Sequence, residues 1–238
     1  AAKKRDLIKH TNKNFAKSIN SFLSRLHWRS HFIQKLEDQP SIEHASFIPV
    51  YDQIRDKDEE KLEAWIEGKT GVHFIDACMI YLRNHGWINF RMRAMLASFA
   101  SYNLWLDWRY FAPRLAALFT DFEPGIHYSQ IQMQSGTTGI NTIRMYNPYK
   151  QAMDQDPLGK FIKSQIPEVK NFPPAFFHNP PKKSLNVNLF DNEFQKEIIN
   201  VKETAQYARK KIFDIRKSQE HKILAKNVYL KHGSRGRN

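Results

Sequence analysis

Apolar residues recur along most of the chain at the three- and four-residue spacing of a helix. Proline, glycine and helix-capping residues divide this pattern into segments. The predicted helices are residues 15–36, a short helix between an N-cap at Asp58 and a stop at Gly68, 72–85 closed by Gly86, 88–106, 107–120, short helices within 149–166 broken at Pro157 and Pro167, and 203–230. No strand-like alternation persists, so the predicted fold class is all-α.

Two of these helices carry unusual residues. The 88–106 segment is apolar on nearly every side, which is typical of a central, buried helix, yet it contains Arg91 and Arg93. A buried guanidinium needs an anionic partner, so we expect an acidic side chain to meet these arginines. In helix 107–120, Pro113 is compatible only with the first turn.

Two stretches lack a helical pattern. Residues 120–148 are rich in glycine, polar and amide side chains, and are predicted to form a long irregular connection. Such a connection inside a compact domain is either functional or disordered, and its Ile, Met and Tyr content argues against disorder. Residues 171–192 are rich in proline and are predicted to form a loop or an extended arm.

Positive charge is concentrated at the C-terminal end. The 238 residues contain 37 Lys and Arg against 24 Asp and Glu, a net charge of +13. Residues 201–238 hold eleven of these bases and three acids, a net charge of +8. This distribution favours a polyanionic partner, with a solvated helix surface as the alternative for any single lysine. We therefore divide the chain into a helical domain, residues 1–200, and a basic C-terminal helix and tail, 201–238.

Composition excludes several classes of protein. A hydrophobic share of 41% excludes disorder of the whole chain, and no apolar run approaches the ~20 residues that span a membrane. Cys78 is the only cysteine, so it forms no internal disulfide; its apolar neighbours predict a buried, inert thiol, and we expect a cytoplasmic location. His27 and His31 lie one helical turn apart but without an HExxH motif, so no metal site is predicted.

One motif between residues 64 and 109 is more specific than any of these patterns. Its residues are Ala64-Trp65, Gly68, Thr70-Gly71, Asp76-Ala77, Met79, Leu82, Gly86-Trp87, Arg91, Arg93, Ser98-Phe99, Leu104 and Asp107-Trp108-Arg109. Further ordered matches are Leu26-His27-Trp28-Arg29, Asp121-Phe122-Glu123, Arg144, Asn147-Pro148, Gln151, Asp156-Pro157, Gly159, Phe161-Ile162 and Pro167-Glu168. In these residues the chain resembles the FAD-binding domain of the DNA photolyase/cryptochrome family, in a divergent bacterial-type branch.

The resemblance implies an all-helical domain around FAD. It places Arg93 and Asp121 as an ion pair beside the isoalloxazine ring, and we expect this pair to be buried. It assigns Glu123 as a second acid near the flavin, His127 to the position that faces flavin N5, and Arg29 to the cofactor-binding set. A guanidinium beside a flavin that becomes negative on reduction is chemically reasonable, because charges interact strongly at low dielectric.

The resemblance also implies a site for damaged DNA, with departures from the family pattern. Trp28 matches the residue that stacks on a flipped lesion, and Arg25 and Arg144 are assigned to DNA binding. Arg25 stands where the family has an acid, Met133 where it has a second stacking tryptophan, and Phe90 where it has an asparagine. Repair of the standard cyclobutane dimer is therefore in question.

The electron relay implied by the family is incomplete. Trp108 matches its middle tryptophan, but Arg55 and Ile131 occupy the other two positions. Other aromatic residues are candidates to substitute, namely Trp87, Tyr102 and Trp105. For each of these aromatic residues taken singly, Trp108 included, a purely structural place in the core is the favoured alternative.

Three functions follow as hypotheses. The first is light-driven, flavin-dependent repair of pyrimidine photoproducts in duplex or single-stranded DNA. The second is a cryptochrome-like blue-light photoreceptor that binds FAD without repair, and the third is a helical nucleic-acid-binding module without a cofactor. Family members carry an antenna domain and a phosphate-binding loop ahead of the residues matched here. We therefore expect the antenna chromophore site to lie outside this chain, and the chain alone to bind FAD weakly or not at all.

Overall fold

The computed structural model describes residues 12–179 and 196–233. The described residues form an all-helical structure, as the hydrophobic pattern predicts. Its α-helices are α1 (Lys13–Asp38), α2 (Glu59–Glu67), α3 (His73–His85), α4 (Phe90–Ser98), α5 (Trp108–Ala116), α6 (Pro124–Ser135), α7 (Pro148–Gln155), α8 (Lys160–Gln165), α9 (Pro174–His178), α10 (Val201–Lys217) and α11 (Gln219–His232). Short 3₁₀ turns lie at Pro40–Glu43, Pro49–Tyr51 and Pro167–Val169. The described residues form no sheet, only an isolated bridge between Asp56 and Leu106. The all-α prediction is confirmed.

Helix ends follow the local sequence closely. The Asp58 carboxylate accepts the N–H of Lys61 at 3.0 Å and caps α2. Gly68 ends that helix at φ 72°, a conformation that favours glycine, and a Cβ there would lie 2.9 Å from the Asp76 carbonyl oxygen. Gly86 ends α3 in the same way. These predicted caps are confirmed.

The predicted helix 88–106 is wrong in its second half. Helix α4 ends at Ser98 and continues as a π-helical turn over Phe99–Asn103. Trp105 then adopts φ 58°, and its carbonyl accepts the N–H of Asp56, so the chain leaves the helix to pair with another segment. Arg91 is exposed, so the expectation that it is buried is also wrong.

The predicted irregular connection 120–148 is also wrong, because it contains the twelve-residue helix α6. Glu123 caps this helix, Pro124 occupies its first position, and Gly136 ends it at φ 71°. Its buried face is largely polar, so it lacks the apolar stripe by which a helix is recognised. Gln132 shows why polar burial is tolerated, since its side chain bonds the backbone of the segment that follows α1.

Three smaller boundaries also differ. Pro113 lies in the middle of α5, because the Asp107 carboxylate caps the N–H of Arg109 and starts that helix at Trp108. The predicted helix 203–230 is split, because Ser218 caps α11. The predicted arm 171–192 contains α9, and its remainder from residue 180 lies outside the described residues.

Packing produces two neighbouring hydrophobic cores. The larger core surrounds α3, α4 and α5 and includes Trp65 and Phe111. Cys78 is buried in it, and burial raises the pKa of its thiol, as expected of an inert cysteine. The smaller core includes Ile48 and Ile212 and lies beneath α10 and α11. Since α10 buries side chains in this second core, it packs on the domain; the boundary at residue 200 stays a prediction.

Helix α6 packs against other helices on two sides. Gly125 in its first turn lies against α1, and a Cβ there would sit 2.9 Å from the Ile33 Cα and from the Phe32 carbonyl oxygen. The other flank packs against α4 and α5. The helix that the sequence pattern missed therefore lies at the centre of the described structure. No helix in the described part of the chain combines the length and the apolar character needed to cross a membrane.

Candidate functional site

A cavity of about 310 Å³ opens between α4, α5 and α6. Its walls are largely apolar, with side chains such as Ile88, Leu115 and Ile131. The polar side chains in its lining are Arg93, Asp121, Glu123, His127, Gln130 and Gln134. An apolar cavity with a few convergent polar groups is typical of a small-molecule or cofactor site.

Arg93 and Asp121 form a bidentate ion pair at the wall of this cavity. Arg93 Nη1 and Nη2 donate to the two Asp121 carboxylate oxygens, each at 3.0 Å. Arg93 Nε donates to the Ile88 carbonyl at 2.7 Å, and the guanidinium carbon lies 4.2 Å from the centre of the Phe119 ring. Each guanidinium nitrogen is therefore held, so the charge has a fixed position.

The predicted pairing of Arg93 with Asp121 is confirmed, but the predicted burial is wrong. The two side chains are 25% and 48% exposed. Asp121 lies in the connection between α5 and α6, where its half-exposed side chain leaves the carboxylate accessible to water.

Glu123, close in sequence to Asp121 of the Arg93–Asp121 pair, has a structural role. Its carboxylate accepts the N–H of Gly125 at 3.3 Å and of Ile126 at 2.8 Å, and so caps the first turn of α6. Because Glu123 also lines the cavity, the same side chain fixes the helix that carries the other lining residues. Its assignment to the cofactor stays a prediction.

His127 is buried in the second turn of α6. Its Nε2 lies 2.9 Å from the Ala112 carbonyl oxygen; because a carbonyl only accepts, Nε2 carries the proton. Burial, with a smaller contribution from the charge of Arg93, lowers the pKa of His127 to about 4. The imidazole is therefore neutral at pH 7, and its Nδ1 is left as an acceptor.

Gln130 and Gln134 are lining residues that the sequence reasoning missed. Gln130 Oε1 is shielded from solvent and has no hydrogen-bond partner among the described residues. With His127 they follow the spacing i, i+3, i+7, which places the three on one face of a helix. This spacing is visible in the sequence, but it indicates a shared face only if the segment is predicted to be a helix.

The predicted DNA-binding residues lie away from the cavity lining. Arg25, Trp28 and Arg29 are exposed on α1, where the Trp28 ring, 45% exposed, stacks on Phe32 at 5.8 Å. Arg144 is exposed in the connection between α6 and α7. None of the four lines the cavity, so their assignments to DNA, and that of Arg29 to the cofactor, stay predictions.

Trp108 is buried in the larger core, where its Nε1 donates to the Ser46 hydroxyl at 2.8 Å. Its ring meets Tyr128 edge-on at 6.4 Å, and Tyr128 meets His127 at 5.2 Å. This row of rings joins Trp108 to the cavity. At the other relay positions Ile131 lines the cavity and Arg55 is buried, while the role of Trp108 stays a prediction.

The other aromatic candidates for the relay are separated. Trp87 is exposed and lines the cavity, 5.9 Å from the guanidinium carbon of Arg93. Tyr102 and Trp105 belong to the smaller core instead. As for metal chemistry, the described residues contain no group of three or more His, Cys, Asp or Glu side chains suited to a metal ion.

Comparison with known proteins identifies the domain. The model of the FAD binding domain of DNA photolyase matches residues 22–221. The deoxyribodipyrimidine photo-lyase of Vibrio cholerae is 32% identical over 165 residues, which are 67% of this chain and 35% of that protein. Cryptochrome-2 of Gallus gallus is 29% identical over 178 residues, 74% of this chain and 30% of that protein.

A solved structure gives the same result. The crystal structure of archaeal photolyase from Sulfolobus tokodaii with two FAD molecules superimposes with a TM-score of 0.72 at 30% identity, covering 82% of this chain and 44% of that one. This chain thus spans about a third of the length of the curated relatives that it matches. With the family model covering most of its length, the chain belongs to the photolyase/cryptochrome family, as its FAD-binding domain.

Proposed function

We propose that this domain holds FAD in the cavity between α4, α5 and α6 and serves light-driven repair of pyrimidine photoproducts in DNA. The observation that carries the proposal is the fixed Arg93–Asp121 pair at the wall of an apolar cavity that also contains a neutral histidine. When bound, FAD would supply the light-driven electron for repair. The chain's own residues would bind, orient and electrostatically tune it.

The cavity lining suits a flavin ring. Apolar side chains offer contact surface for a flat aromatic ring system, and the buried Gln130 Oε1 lacks a partner that a ring N–H could provide. Arg93 places a positive charge where a reduced, anionic ring would lie, and Asp121 holds that charge in place. Because His127 is neutral, the arginine is the cationic side chain of the lining.

DNA is the proposed partner because of the exposed groups on α1. Trp28 offers an accessible ring face for an unstacked base, and Arg25 supplies positive charge three residues away. Arg144 adds a further exposed cation. The basic C-terminal segment either attracts DNA or is a solvated surface, and only the first role contributes to the salt dependence of DNA binding. The cytoplasmic location and the antenna domain elsewhere in the protein stay predictions.

A photoreceptor without repair activity is the second candidate. Arg55 and Ile131 replace two aromatic relay residues, and Met133 replaces a lesion-stacking ring. Similarity to a vertebrate cryptochrome is consistent with this alternative.

A repair assay with the full-length protein separates the candidates. Protein carrying reduced FAD is mixed with a duplex containing one cyclobutane dimer or one (6-4) photoproduct, under blue light and in the dark. Loss of either lesion under blue light but not in the dark supports repair. A light-responsive flavin without lesion loss supports the photoreceptor, and protein that takes up no flavin contradicts both.

The role of Arg93 is tested by measuring the reduction potential of the bound flavin. Arg93→Met is compared with Arg83→Met, an exposed arginine of α3 outside the cavity. Loss of the charge beside the ring makes the reduction potential of the flavin more negative only in the Arg93 variant. Equal potentials in the two variants would remove Arg93 from the flavin site.

A further inference from the structure

A second group of polar side chains, four buried and one half-buried (Arg216), lies at the C-terminal helices, outside the flavin cavity. This basic cluster consists of Tyr51, Arg55, Tyr102, Arg216 and His221. Tyr51, Arg55, Tyr102 and His221 are 2%, 7%, 1% and 4% exposed. One polar atom in each of the five is shielded from solvent and has no hydrogen-bond partner among the described residues: Tyr51 Oη, Arg55 Nη1, Tyr102 Oη, Arg216 Nε and His221 Nε2.

Ring contacts and electrostatic interactions connect the five side chains at the smaller core. The Tyr51 ring lies edge-on to His221 at 5.7 Å, and the Arg55 guanidinium carbon lies 5.6 Å from the centre of the Tyr102 ring. The positive charges of Arg55 and Arg216 both act to lower the pKa of the two phenols, against the stronger effect of burial. Arg216 approaches the Tyr51 hydroxyl, although its Nε makes no hydrogen bond of good geometry.

The cluster contains positive charge without a matching negative charge. Among the described residues no carboxylate lies within 4.0 Å of either guanidinium, and the Asp107 carboxylate, whose charge reaches Arg55, is paired with Arg109. Arg55 Nε and Nη2 donate only to backbone carbonyls, at 3.0 and 2.7 Å. Arg216 Nη2 likewise donates to a backbone carbonyl at 2.8 Å. Buried charges are normally paired, and buried donors are normally hydrogen-bonded.

We propose that the basic cluster binds one small inorganic anion, of the size and charge of chloride. Two guanidinium N–H groups, two phenol O–H groups and an imidazole N–H are all capable of donating to it. A monatomic anion accepts hydrogen bonds from any direction, which suits donors that come from five separate positions in the chain. Because these donor atoms are shielded from solvent, a halide, which is smaller than an oxyanion, is the anion that suits them best.

The bound anion would join two parts of the structure. Tyr51, Arg55 and Tyr102 belong to the body of the domain, whereas Arg216 and His221 belong to α10 and α11. An anion shared between them neutralises charge that would otherwise oppose this packing. Anion binding would therefore stabilise the fold as its concentration rises.

Anomalous diffraction tests the site directly. Crystals of this protein grown with sodium bromide in place of chloride should show an anomalous peak in contact with Arg55 Nη1 and the Tyr102 hydroxyl. Water alone at that position, without anomalous signal, would overturn the proposal.

Thermal unfolding in solution gives an independent test. The unfolding midpoint is measured with increasing sodium chloride, with sodium gluconate keeping the ionic strength constant. The midpoint should rise with chloride, and Tyr102→Phe, which removes one donor while keeping the ring, should reduce that rise. The matched control is Tyr81→Phe, whose ring stacks on His85 away from the cluster, and it should retain the full rise. A midpoint independent of chloride in the wild type, or an equal rise in both variants, contradicts the anion site.

Discussion

Replacing Asp121 by asparagine should destabilise the domain by an intermediate amount. The pair is bidentate, with both N–O distances at 3.0 Å, but its side chains are 25% and 48% exposed. Breaking a fully buried ion pair from one side costs about 3–5 kcal/mol, whereas exposed pairs contribute about 0.2–1 kcal/mol. Partial burial and fixed geometry place Asp121→Asn between these limits, at about 1–2 kcal/mol.

The assay is urea unfolding at pH 7 in low and high salt. A loss of this size corresponds to a fall of about 2–8 °C in Tm for a domain of this length. The matched control is Glu63→Gln, which breaks the pair with Arg114, where the side chains are 41% and 44% exposed. That variant should lose less than about 1 kcal/mol.

A double-mutant cycle with Arg93→Met isolates the interaction itself. Coupling close to zero, or a loss in Asp121→Asn no larger than in the control, would refute the structural role of this pair. A loss above about 3 kcal/mol would instead indicate that the pair is buried in solution.

Three further predictions concern other parts of the structure. The pKa of His127 is lowered to about 4, so the stability it contributes is complete above its unfolded pKa near 6.5 and is lost as the pH falls towards 4. His127→Gln should therefore reduce the slope of unfolding free energy against pH by up to about 1 kcal/mol per pH unit in this range, and an unchanged slope would contradict the buried neutral imidazole. Gln132→Leu removes three hydrogen bonds of 2.8–3.0 Å to backbone groups and should cost about 2–4 kcal/mol in urea unfolding, against little change in the exposed control Gln34→Leu; equal stability of the two variants would contradict this packing. In the full-length protein, Trp28→Ala should lower the preference for damaged over undamaged duplex by about 1–3 kcal/mol in a binding titration, while Phe22→Ala on the same helix should not. Both variants should keep the wild-type salt dependence, with a log–log slope of about −0.9 for each phosphate contact, and equal damage preference in the two would remove Trp28 from the site.

Helix ends were predictable because they depend on neighbours in the sequence. The cap at Asp58 and the left-handed Gly68 need only a few residues to act. The pairing of Arg93 with Asp121 came from the family motif. Its exposure could not be predicted, because it depends on how α4 and the α5–α6 connection pack in three dimensions.

Helix α6 shows where sequence reasoning failed. An apolar stripe identifies a helix that packs on a hydrophobic core, but α6 buries histidine, serine and glutamine side chains. Those side chains are accommodated by partners distant in sequence, such as the Ala112 carbonyl for His127. Because α6 buries polar side chains around a cavity, its composition is that of a loop. For this reason neither the helix nor the role of Gln130 in the cavity lining was predicted from the sequence.

The flavin site is tested most directly by a crystal structure of the full-length protein with FAD bound. The isoalloxazine ring should lie in the cavity between α4, α5 and α6, with the Arg93 guanidinium beside it and Gln130 hydrogen-bonded to it. His127 should still donate to the Ala112 carbonyl. A flavin bound elsewhere, or a ring separated from Arg93 by other side chains, would contradict the central claim.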